Sequence, residues 1–376
     1  GIALSTSTLA ADFPNPLPEE TLGTSATLPE KYPTNWIIVQ DLHFASLIDG
    51  RAAIVDVTAE NGNLKGQIPV AQFGTLTPST TKPEIYVGET FYSRLTRGER
   101  TDTITIWDTA TLAPKGEIVL PGGKRGQFVT IRNSLQLTND EKWALVFNFT
   151  PGASVTVVDL EGRKVLGDIG LPGCAQIYPT GARGFTSLCA DGTMTSIALD
   201  ANGAAAKTVT SKPFNDIDKD PMFIMPAMVG KTAWFVTFQG NFRGIDLSGD
   251  AAKNLGAFSI VKPAGGTPEW RPGGWQVISA DPAGLLYALM NPAGREGSHK
   301  DGGTEVWVVD PRKKALNLRV ALQHHAVSVE VTQQEKPLLI ASRSDGVLDV
   351  YAAATGAFVR SIGGTASDPL VMTAAR

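Results

Sequence analysis

The chain alternates short apolar runs with polar connections, and one version of this pattern recurs seven times. Each copy has three or four β-forming residues, an Asp, a short polar connection containing Gly or Lys, and a second apolar run. Two of the copies read AAIVDVTAENGNLKGQIPV and VWVVDPRKKALNLRVAL. The Asp stands at positions 56, 108, 159, 200, 246 and 310, and Ala352 takes its place in the seventh copy. The mean spacing from 56 to 352 is about 49 residues, which is typical of propeller blades.

Another strand precedes each copy, as in NWIIVQDLHFA and TAWFVTF. Several of these strands reach their partner through an Asp-Gly turn, at Asp49-Gly50, Asp191-Gly192 and Asp345-Gly346, which is a strong hairpin signal. Each unit is therefore at least a three-stranded meander with room for a fourth strand. The predicted fold class is all-β, a seven-bladed β-propeller of four-stranded antiparallel blades.

The two ends of the chain predict how the ring closes. The first recognisable strand, at Trp36, resembles a second strand with none before it, and the last segment, DPLVMTAAR, resembles a first strand. We expect residues 368–375 to form the inner strand of the blade that residues 36–70 begin. Residues 1–35, rich in Thr, Ser, Ala and Pro, are predicted to be a partly disordered N-terminal arm, and residues 36–376 the propeller domain.

Composition narrows the classes of function. The 37 acidic and 33 basic residues give a formal charge of −4, so nothing indicates a nucleic-acid partner. The apolar fraction of 42 % supports a large core, yet no apolar run is long enough to span a bilayer, and no membrane insertion is expected. The opening, GIALSTSTLAADF, lacks a basic region followed by an apolar stretch; we therefore expect a mature or trimmed form.

The only two cysteines, Cys174 and Cys189, leave two interpretations open. Their spacing excludes a CxxC redox motif and a zinc knuckle. One interpretation is a pair of buried free thiols. The other is a disulfide across neighbouring strands, because a Pro-Thr-Gly turn lies near the middle of the segment between them; a disulfide would place the protein outside the cytosol.

The search for catalytic groups returns mostly negatives. The GKT at residues 230–232 lacks the first Gly of a phosphate loop, and no GxSxG elbow occurs. Neighbouring residues of a strand point to opposite faces, so His324 and His325 cannot readily share a metal. We predict no catalytic residue and no metal site in this chain. The repeated Asp is explained by turn formation, since its side chain can accept hydrogen bonds from the turn backbone.

Three segments carry more polar and aromatic residues than a scaffold requires, and lengthened loops of this kind often form partner contacts. The alternative is that each is a solvated hairpin tip, and that Glu99 and Asp102 tie the arginines of the first segment into a self-contained loop. The residues predicted to contact a partner are Arg94, Arg97 and Arg100 in FYSRLTRGERTD, and Trp270, Arg271 and Trp275 in EWRPGGWQV. The third segment is NPAGREGSHKDGGTEVWVVD.

At these segments the sequence resembles the large subunit of the quinoprotein amine dehydrogenases, which act on methylamine or aromatic amines. The motifs that carry the resemblance are SRLTRGERTD, WRPGGWQ, REGSHK leading into EVWVVD, SKPFNDIDKDPMFIMPA and the two-cysteine segment. The similarity extends from about residue 36 to the C-terminus. REGSHK and DPMFIMPA look closer to the aromatic type, whereas RGERTD and WRPGGWQ are at least as close to the methylamine type, so the aromatic type is slightly favoured.

The resemblance implies a cofactor-free subunit. In that family a small disulfide-rich subunit carries tryptophan tryptophylquinone and the catalytic base, and two large and two small subunits assemble in the periplasm. The complex oxidises a primary amine to an aldehyde and ammonia, and a cupredoxin such as amicyanin or azurin accepts the electrons. This chain would scaffold the small subunit and line the substrate channel.

Two residue roles follow from the resemblance. A family phenylalanine that projects into the substrate channel corresponds to Phe44 in DLHFASLIDG; the alternative is an ordinary core Phe. The cysteines match the family's pair, which favours a Cys174–Cys189 disulfide. The competing interpretation of the chain is a free-standing propeller, either a binding protein or a lactonase-type hydrolase, which would need His or acidic residues converging on the central channel.

Overall fold

The β-forming runs of the repeat fold into a ring of seven antiparallel sheets. The computed structural model describes residues 26–376, in which there are 29 strands, β1–β29, and three short 3-10 helices. The helices span Leu47–Asp49, Arg132–Ser134 and Ser298–Lys300. Each sheet is one blade, and its strands are ordered from the axis outwards as they occur along the chain, except in blade 1.

The first four blades contain the following strands. Blade 1 comprises β29 (Pro369–Ala374), β1 (Trp36–Asp41), β2 (Gly50–Asp56) and β3 (Leu64–Val70). Blade 2 comprises β4 (Thr75–Pro78), β5 (Glu84–Arg94), β6 (Arg97–Asp108) and β7 (Pro114–Val119). Blade 3 comprises β8 (Leu135–Leu137), β9 (Trp143–Asn148), β10 (Ser154–Asp159) and β11 (Lys164–Gly170). Blade 4 comprises β12 (Cys174–Pro179), β13 (Gly184–Cys189), β14 (Met194–Leu199) and β15 (Ala205–Thr210).

The remaining three blades follow the same order. Blade 5 comprises β16 (Ala227–Val229), β17 (Thr232–Val236), β18 (Asn241–Asp246) and β19 (Lys253–Ser259). Blade 6 comprises β20 (Arg271–Pro272), β21 (Ile278–Ala280), β22 (Leu286–Asn291), β23 (Gly303–Asp310) and β24 (Ala315–Ala326). Blade 7 comprises β25 (Ser328–Val331), β26 (Leu338–Ser342), β27 (Leu348–Ala352) and β28 (Phe358–Ile362). In blade 6 the inner strand is split, because β20 and β21 both pair with β22.

The predicted closure of the ring is confirmed. Strand β29 pairs antiparallel with β1, from Ile37 opposite Ala374 to Asp41 opposite Pro369. Blade 1 therefore draws its innermost strand from the C-terminal end and its other three strands from the N-terminal part of the chain. The seven-bladed, four-stranded architecture is likewise as the sequence predicts.

Burial on both faces of each blade explains why the central strands have nearly continuous apolar runs. All six residues of β1 are buried. Apolar side chains on one face of blade 1, including Ile54, pack against Ile85 and Val87 of blade 2. On the other face Val39 and Val55 pack against blade 7. The core is thus a set of layers between adjacent blades rather than one central cluster.

The repeated Asp has the structural role that the sequence indicates. At all six positions the carboxylate accepts a backbone N–H from the residue two positions later. At Asp108, for example, Oδ1 lies 3.0 Å from the nitrogen of Ala110 and 2.9 Å from that of Thr111. Each of these turns joins the third strand of a blade to the fourth, which explains why the residue recurs with the repeat.

The connections divide between two faces of the ring. Strands two and three of each blade are joined on what we call the upper face, and the chain also crosses from blade to blade there. Strands one and two, and strands three and four, are joined on the lower face. Residues 26–35 lie along the β6–β7 connection of the lower face, where the Leu28 nitrogen donates to the Ala110 carbonyl and the Tyr32 hydroxyl to the Thr109 carbonyl, each at 2.8 Å. The predicted disorder of the arm over residues 1–25 lies outside the described residues.

Removing one turn carboxylate should destabilise the protein measurably. Asp108→Ala deletes the acceptor for two backbone N–H groups, and we expect the free energy of unfolding to fall by about 1 kcal/mol at pH 7. The Asp108→Asn variant keeps a side-chain oxygen and is the matched control, with a smaller loss. Chemical denaturation of wild type and the two variants measures the differences in the free energy of unfolding. Equal stability of all three would show that the Asp108 carboxylate does not stabilise the turn.

The same substitution should make stability depend less on pH. A hydrogen bond from the Thr111 nitrogen, supported by those from the Thr111 hydroxyl and the Ala110 nitrogen, holds the pKa of Asp108 below its ordinary value, although burial opposes the shift. A carboxyl with a lowered folded-state pKa stabilises the fold above its unfolded pKa, and this contribution is lost as the pH falls through the folded pKa. The difference in the free energy of unfolding between wild type and Asp108→Ala should therefore become smaller as the pH is lowered.

Candidate functional site

The upper face carries a concentration of exposed apolar side chains. Among the described residues, large apolar side chains that are exposed occur either on outermost strands or on this face. Those on the upper face lie in or beside the connections of blades 1 to 4: Phe44, Ile48, Phe91, Leu95, Phe149 and Ile217. Phe149 is 67 % exposed and Leu95 75 %. These six exposed apolar side chains, called the apolar arc below, make this face a candidate interaction surface.

The charged segment of blade 2 is a long hairpin that rises from this face. Strands β5 and β6 have 11 and 12 residues, and they pair as far as Arg94 opposite Arg97. Only Leu95 and Thr96 lie in the turn, where Leu95 has a φ of 61°. The hairpin therefore presents one apolar side chain at its tip with an arginine on each side.

The three arginines of the hairpin have different environments. Arg94 and Arg97 are exposed, and within residues 26–376 neither forms an ion pair. Arg100 is partly buried: its Nε lies 3.0 Å from Oδ1 of Asp102, and its Nη2 donates to the Arg125 carbonyl at 2.7 Å. Arg100 is tied to its own blade, as the self-contained alternative expected, while Arg94 and Arg97 are available to a partner.

A buried ionic network supports the base of the hairpin. Asp102 is fully buried and accepts hydrogen bonds from the Thr90 hydroxyl at 2.6 Å and the Gly123 nitrogen at 3.0 Å. Arg125, 6 % exposed, donates to Thr90 and to the carbonyls of Gln72 and Phe73 in the connection from blade 1. Burial lowers the pKa of Arg125 to about 10, with the charge of Asp102 opposing the shift, so the guanidinium stays charged at neutral pH. The network fixes three upper-face connections to one another.

The tryptophan segment of blade 6 packs largely against its own blade. The ring of Trp270 lies 5.2 Å from that of Trp307, and Arg319 stacks over both rings at 4.7 and 4.8 Å. Arg271 lies 4.7 Å over the ring of Phe238 in blade 5. Trp270 and Arg271 are therefore only partly exposed.

Trp275 belongs instead to an apolar plug on the axis of the ring. Its Nε1 donates to the Thr130 carbonyl at 2.7 Å, although Thr130 lies in the connection between blades 2 and 3. The plug brings together residues from inter-blade connections and inner strands, namely Phe128, Ile131, Ile224, Met225, Trp275 and Val371. The plug therefore joins connections and strands of distant blades across the ring.

Below the plug, Arg132 joins several blades across the axis. Its guanidinium lies 3.4 Å from Glu330 of blade 7 and donates to the carbonyls of Met372 in blade 1 and Pro226 before blade 5, at 3.3 and 3.2 Å. A cavity of about 360 Å³ on the lower face is lined in part by Arg132, Glu330 and Thr373. No local sequence pattern predicts this group, since Arg132 and Met372 lie 240 residues apart.

Phe44 is exposed rather than part of the core. It lies in the β1–β2 connection on the upper face and is 50 % exposed. The alternative of an ordinary core Phe is therefore wrong. Its position at the edge of the apolar arc is compatible with the channel role expected from the resemblance, which stays a prediction.

The disulfide prediction is confirmed. Cys174 and Cys189 are bonded and lie directly opposite each other on β12 and β13.

His324 of β24 is half-exposed and lies 2.8 Å from Asp349 of β27. In the part of the chain that the structure describes, no group of three or more His, Cys, Asp or Glu side chains is arranged to hold a metal ion, and no helix there is long and apolar enough to cross a bilayer.

Comparison with known proteins identifies the family of this chain. The family model "Methylamine dehydrogenase heavy chain (MADH)" matches residues 38–376. This chain belongs to the methylamine dehydrogenase heavy-chain family. The heavy chain of Methylorubrum extorquens is 30 % identical over 338 residues, which cover 88 % of this chain and 80 % of the relative. That of Methylobacillus flagellatus is 26 % identical over 369 residues, covering 94 % and 90 %.

Solved structures add support for the fold alone. A candidate 6-phosphogluconolactonase from Bacteroides fragilis has a TM-score of 0.60 at 13 % identity, with 94 % of this heavy-chain family member and 99 % of that protein aligned. At this sequence identity the similarity shows a shared fold and does not indicate a shared activity. The predicted family is thus confirmed at the level of methylamine dehydrogenase heavy chains, and the slight preference for the aromatic type stays a prediction.

Breaking the ionic network under the hairpin should destabilise the protein. Asp102→Ala leaves Arg100 and the buried Arg125 without their carboxylate, and we expect the free energy of unfolding to fall by about 3 kcal/mol. Arg94→Ala, on the same hairpin but exposed, should change it by less than about 0.5 kcal/mol. Denaturant titration of both variants makes the comparison. Similar losses for the two would show that the network does not support the hairpin.

Proposed function

We propose that this chain is the large, cofactor-free subunit of a periplasmic amine dehydrogenase, and that its upper face binds the small subunit that carries tryptophan tryptophylquinone. The observation that carries the proposal is the arc of exposed apolar side chains on the upper face, in a member of the methylamine dehydrogenase heavy-chain family. The assembly we expect contains two large and two small subunits.

The chemistry of the arc suits a protein partner. Leu95 at the hairpin tip, together with the exposed Phe91 and Phe149 of the same face, offers apolar area for burial. Arg94 and Arg97 flank the tip and can donate charge-assisted hydrogen bonds to carboxylates of the partner. Trp270, Arg271 and Trp275 stay predicted contacts; because each is partly buried, their contribution would be to shape the platform rather than to project into the partner.

The position of Phe44 supports a role in the substrate channel. When bound, the quinone of the small subunit supplies the oxidation of a primary amine to an aldehyde and ammonia, and a cupredoxin such as azurin or amicyanin takes the electrons. An exposed ring on the docking face can narrow the route to a site on the partner. Such a ring selects among amines by excluded volume, with a methylene worth about 1–3 kcal/mol. The aromatic type of substrate is slightly favoured on sequence motifs.

The disulfide supports the proposed compartment. Cys174 and Cys189 form a cross-strand bridge, and such bridges persist in oxidising compartments such as the bacterial periplasm.

The axial plug argues against the competing interpretation. A free-standing lactonase-type hydrolase would need its central channel open towards converging acidic or His side chains. Here apolar side chains around Trp275 and Val371 contact one another across the ring below the upper face. An apolar cluster at this place favours a platform for a second protein on the upper face.

Affinity purification tests the proposed assembly. The tagged chain, isolated from its native host, should bring down a small subunit with the visible absorption of a quinone. The double variant Leu95→Asp, Arg97→Glu should lower the recovered small subunit at least tenfold, because it places charge in the apolar contact and reverses the flanking charge.

The matched control is Lys207→Glu, an exposed charge reversal on the outer strand β15, which should leave recovery unchanged. A lone colourless monomer from the native host would contradict the proposed function. Normal recovery with the hairpin variant would instead remove only the hairpin from the interface.

Substrate selectivity tests Phe44. Phe44→Ala should change the ratio of kcat/KM for a bulky aromatic amine to that for methylamine by about fivefold or more, in favour of the bulky amine. Steady-state kinetics of the reconstituted complex measures the ratio. Phe44→Leu, which keeps an apolar side chain of intermediate size, should give a smaller change; an unchanged ratio in both variants would refute a channel role.

A further inference from the structure

The connection that carries Phe44 is attached to the opposite end of the chain. The backbone nitrogen of Phe44 donates to Oδ2 of Asp368 at 2.7 Å, across 324 positions of sequence. Asp368 immediately precedes β29, the strand that closes the ring. The position of Phe44 therefore depends on a residue that reaches it only when the two ends of the chain have paired.

A second carboxylate fixes Asp368 itself. Asp41, 6 % exposed, accepts the backbone nitrogens of Asp368 at 2.9 Å and Ser367 at 2.7 Å. The Oδ1 atom of Asp41 also accepts the nitrogen of His43 at 2.9 Å. Asp41 thus binds the start of the β1–β2 connection and the end of the β28–β29 connection at once, so that the two move as one unit.

The connection is also held internally. His43 has a φ of 52°, in the left-handed region, which turns the chain sharply before Phe44. Its Nδ1 lies 3.1 Å from the Asp49 carbonyl at the far end of the connection. The aromatic ring of Phe44, half-exposed, gains less of its orientation from packing than a core ring would, so the backbone contacts have to supply it.

From this geometry we infer that Asp368 is a positioning residue for substrate selection: its carboxylate, oriented by Asp41, holds the Phe44 backbone so that the ring stays at one place in the channel wall. The inference rests on the proposed role of Phe44. A ring discriminates by excluded volume only if it cannot swing away from a larger amine. Loss of the Asp368 hydrogen bond would let the Phe44 backbone move and admit bulkier amines without removal of the ring.

The substitution Asp368→Ala isolates this contact. It removes the acceptor for the Phe44 nitrogen but keeps the backbone nitrogen through which Asp41 holds this segment. We expect the ratio of kcat/KM for a bulky amine to that for methylamine to shift about two- to fivefold in the same direction as in Phe44→Ala. Asp368→Asn keeps the shape and an acceptor oxygen but loses the charge, and should give a smaller shift in that direction.

A double variant distinguishes positioning of the Phe44 ring from a general loss of structure. In the double variant Phe44→Ala, Asp368→Ala the second change should add no further shift in the ratio, because there is no ring left to position. The control Asp200→Ala deletes a carboxylate that caps a turn of the lower face through the Asn202 nitrogen, and it should leave the ratio unchanged. Thermal unfolding of each complex reports any loss of stability separately.

A measurement independent of turnover separates this inference from the role of Phe44. With 4-trifluoromethylphenylalanine at position 44 of the assembled complex, the ¹⁹F resonance should be single and narrow in the otherwise wild-type protein. It should broaden or split in Asp368→Ala, less so in Asp368→Asn, and remain narrow in Asp200→Ala.

The two readouts give distinct outcomes. A narrow ¹⁹F resonance in Asp368→Ala, or an unchanged ratio in that variant while Phe44→Ala shifts it, would overturn the positioning role and leave the proposed function intact. An unchanged ratio in Phe44→Ala together with a broadened resonance in Asp368→Ala would show that Asp368 holds the ring, but that the ring does not select substrates, so the inference as stated would fail with the proposed role of Phe44. Should Asp368→Ala not assemble, the Asn variant decides between the same outcomes.

Discussion

Pairing of β29 with β1 is the constraint on which the rest of the structure depends. Each blade buries both of its faces against its neighbours, so the ring has no stable open form in which blades 1 and 7 remain covered. Closure by a strand from the other end of the chain fills the axial position of blade 1 and sets Val371 into the plug. It also brings Asp368 to Asp41. The contacts of Asp368 and Val371 therefore form only in the closed ring.

The sequence predicted the features that recur in each blade, but not the side-chain contacts that connect distant blades. Spacing, alternation and turn chemistry are properties within one blade, and they sufficed for the seven blades, the closing strand and the role of the recurrent Asp. The Arg132–Glu330 pair and the hydrogen bond from Trp275 to Thr130 connect positions 198 and 145 residues apart. Which side chains meet across the axis depends on the rotation between blades, which no local pattern encodes.

The charged hairpin shows the same limit at smaller scale. Three arginines in one connection indicated a contact surface, but the sequence could not separate Arg100, which binds Asp102 beneath the hairpin, from Arg94 and Arg97 at its tip. The difference arises from pairing register: β5 and β6 continue to Arg94 opposite Arg97, so residues near the base are drawn into the blade. Buried charge at the base then holds exposed charge at the tip in a fixed direction.

The exposed apolar residues of the upper face lie outside the layers packed between blades: Leu95 lies in the turn beyond the β5–β6 ladder, and Phe44 lies in the connection beyond the β1–β2 ladder. Exposed apolar residues at such positions are typical of a surface that binds a partner. In the connection that carries Phe44, segments from the two ends of the chain meet and Asp41 holds both. A residue that has to keep one position while a partner and a substrate bind is best placed where the ring is least free to move.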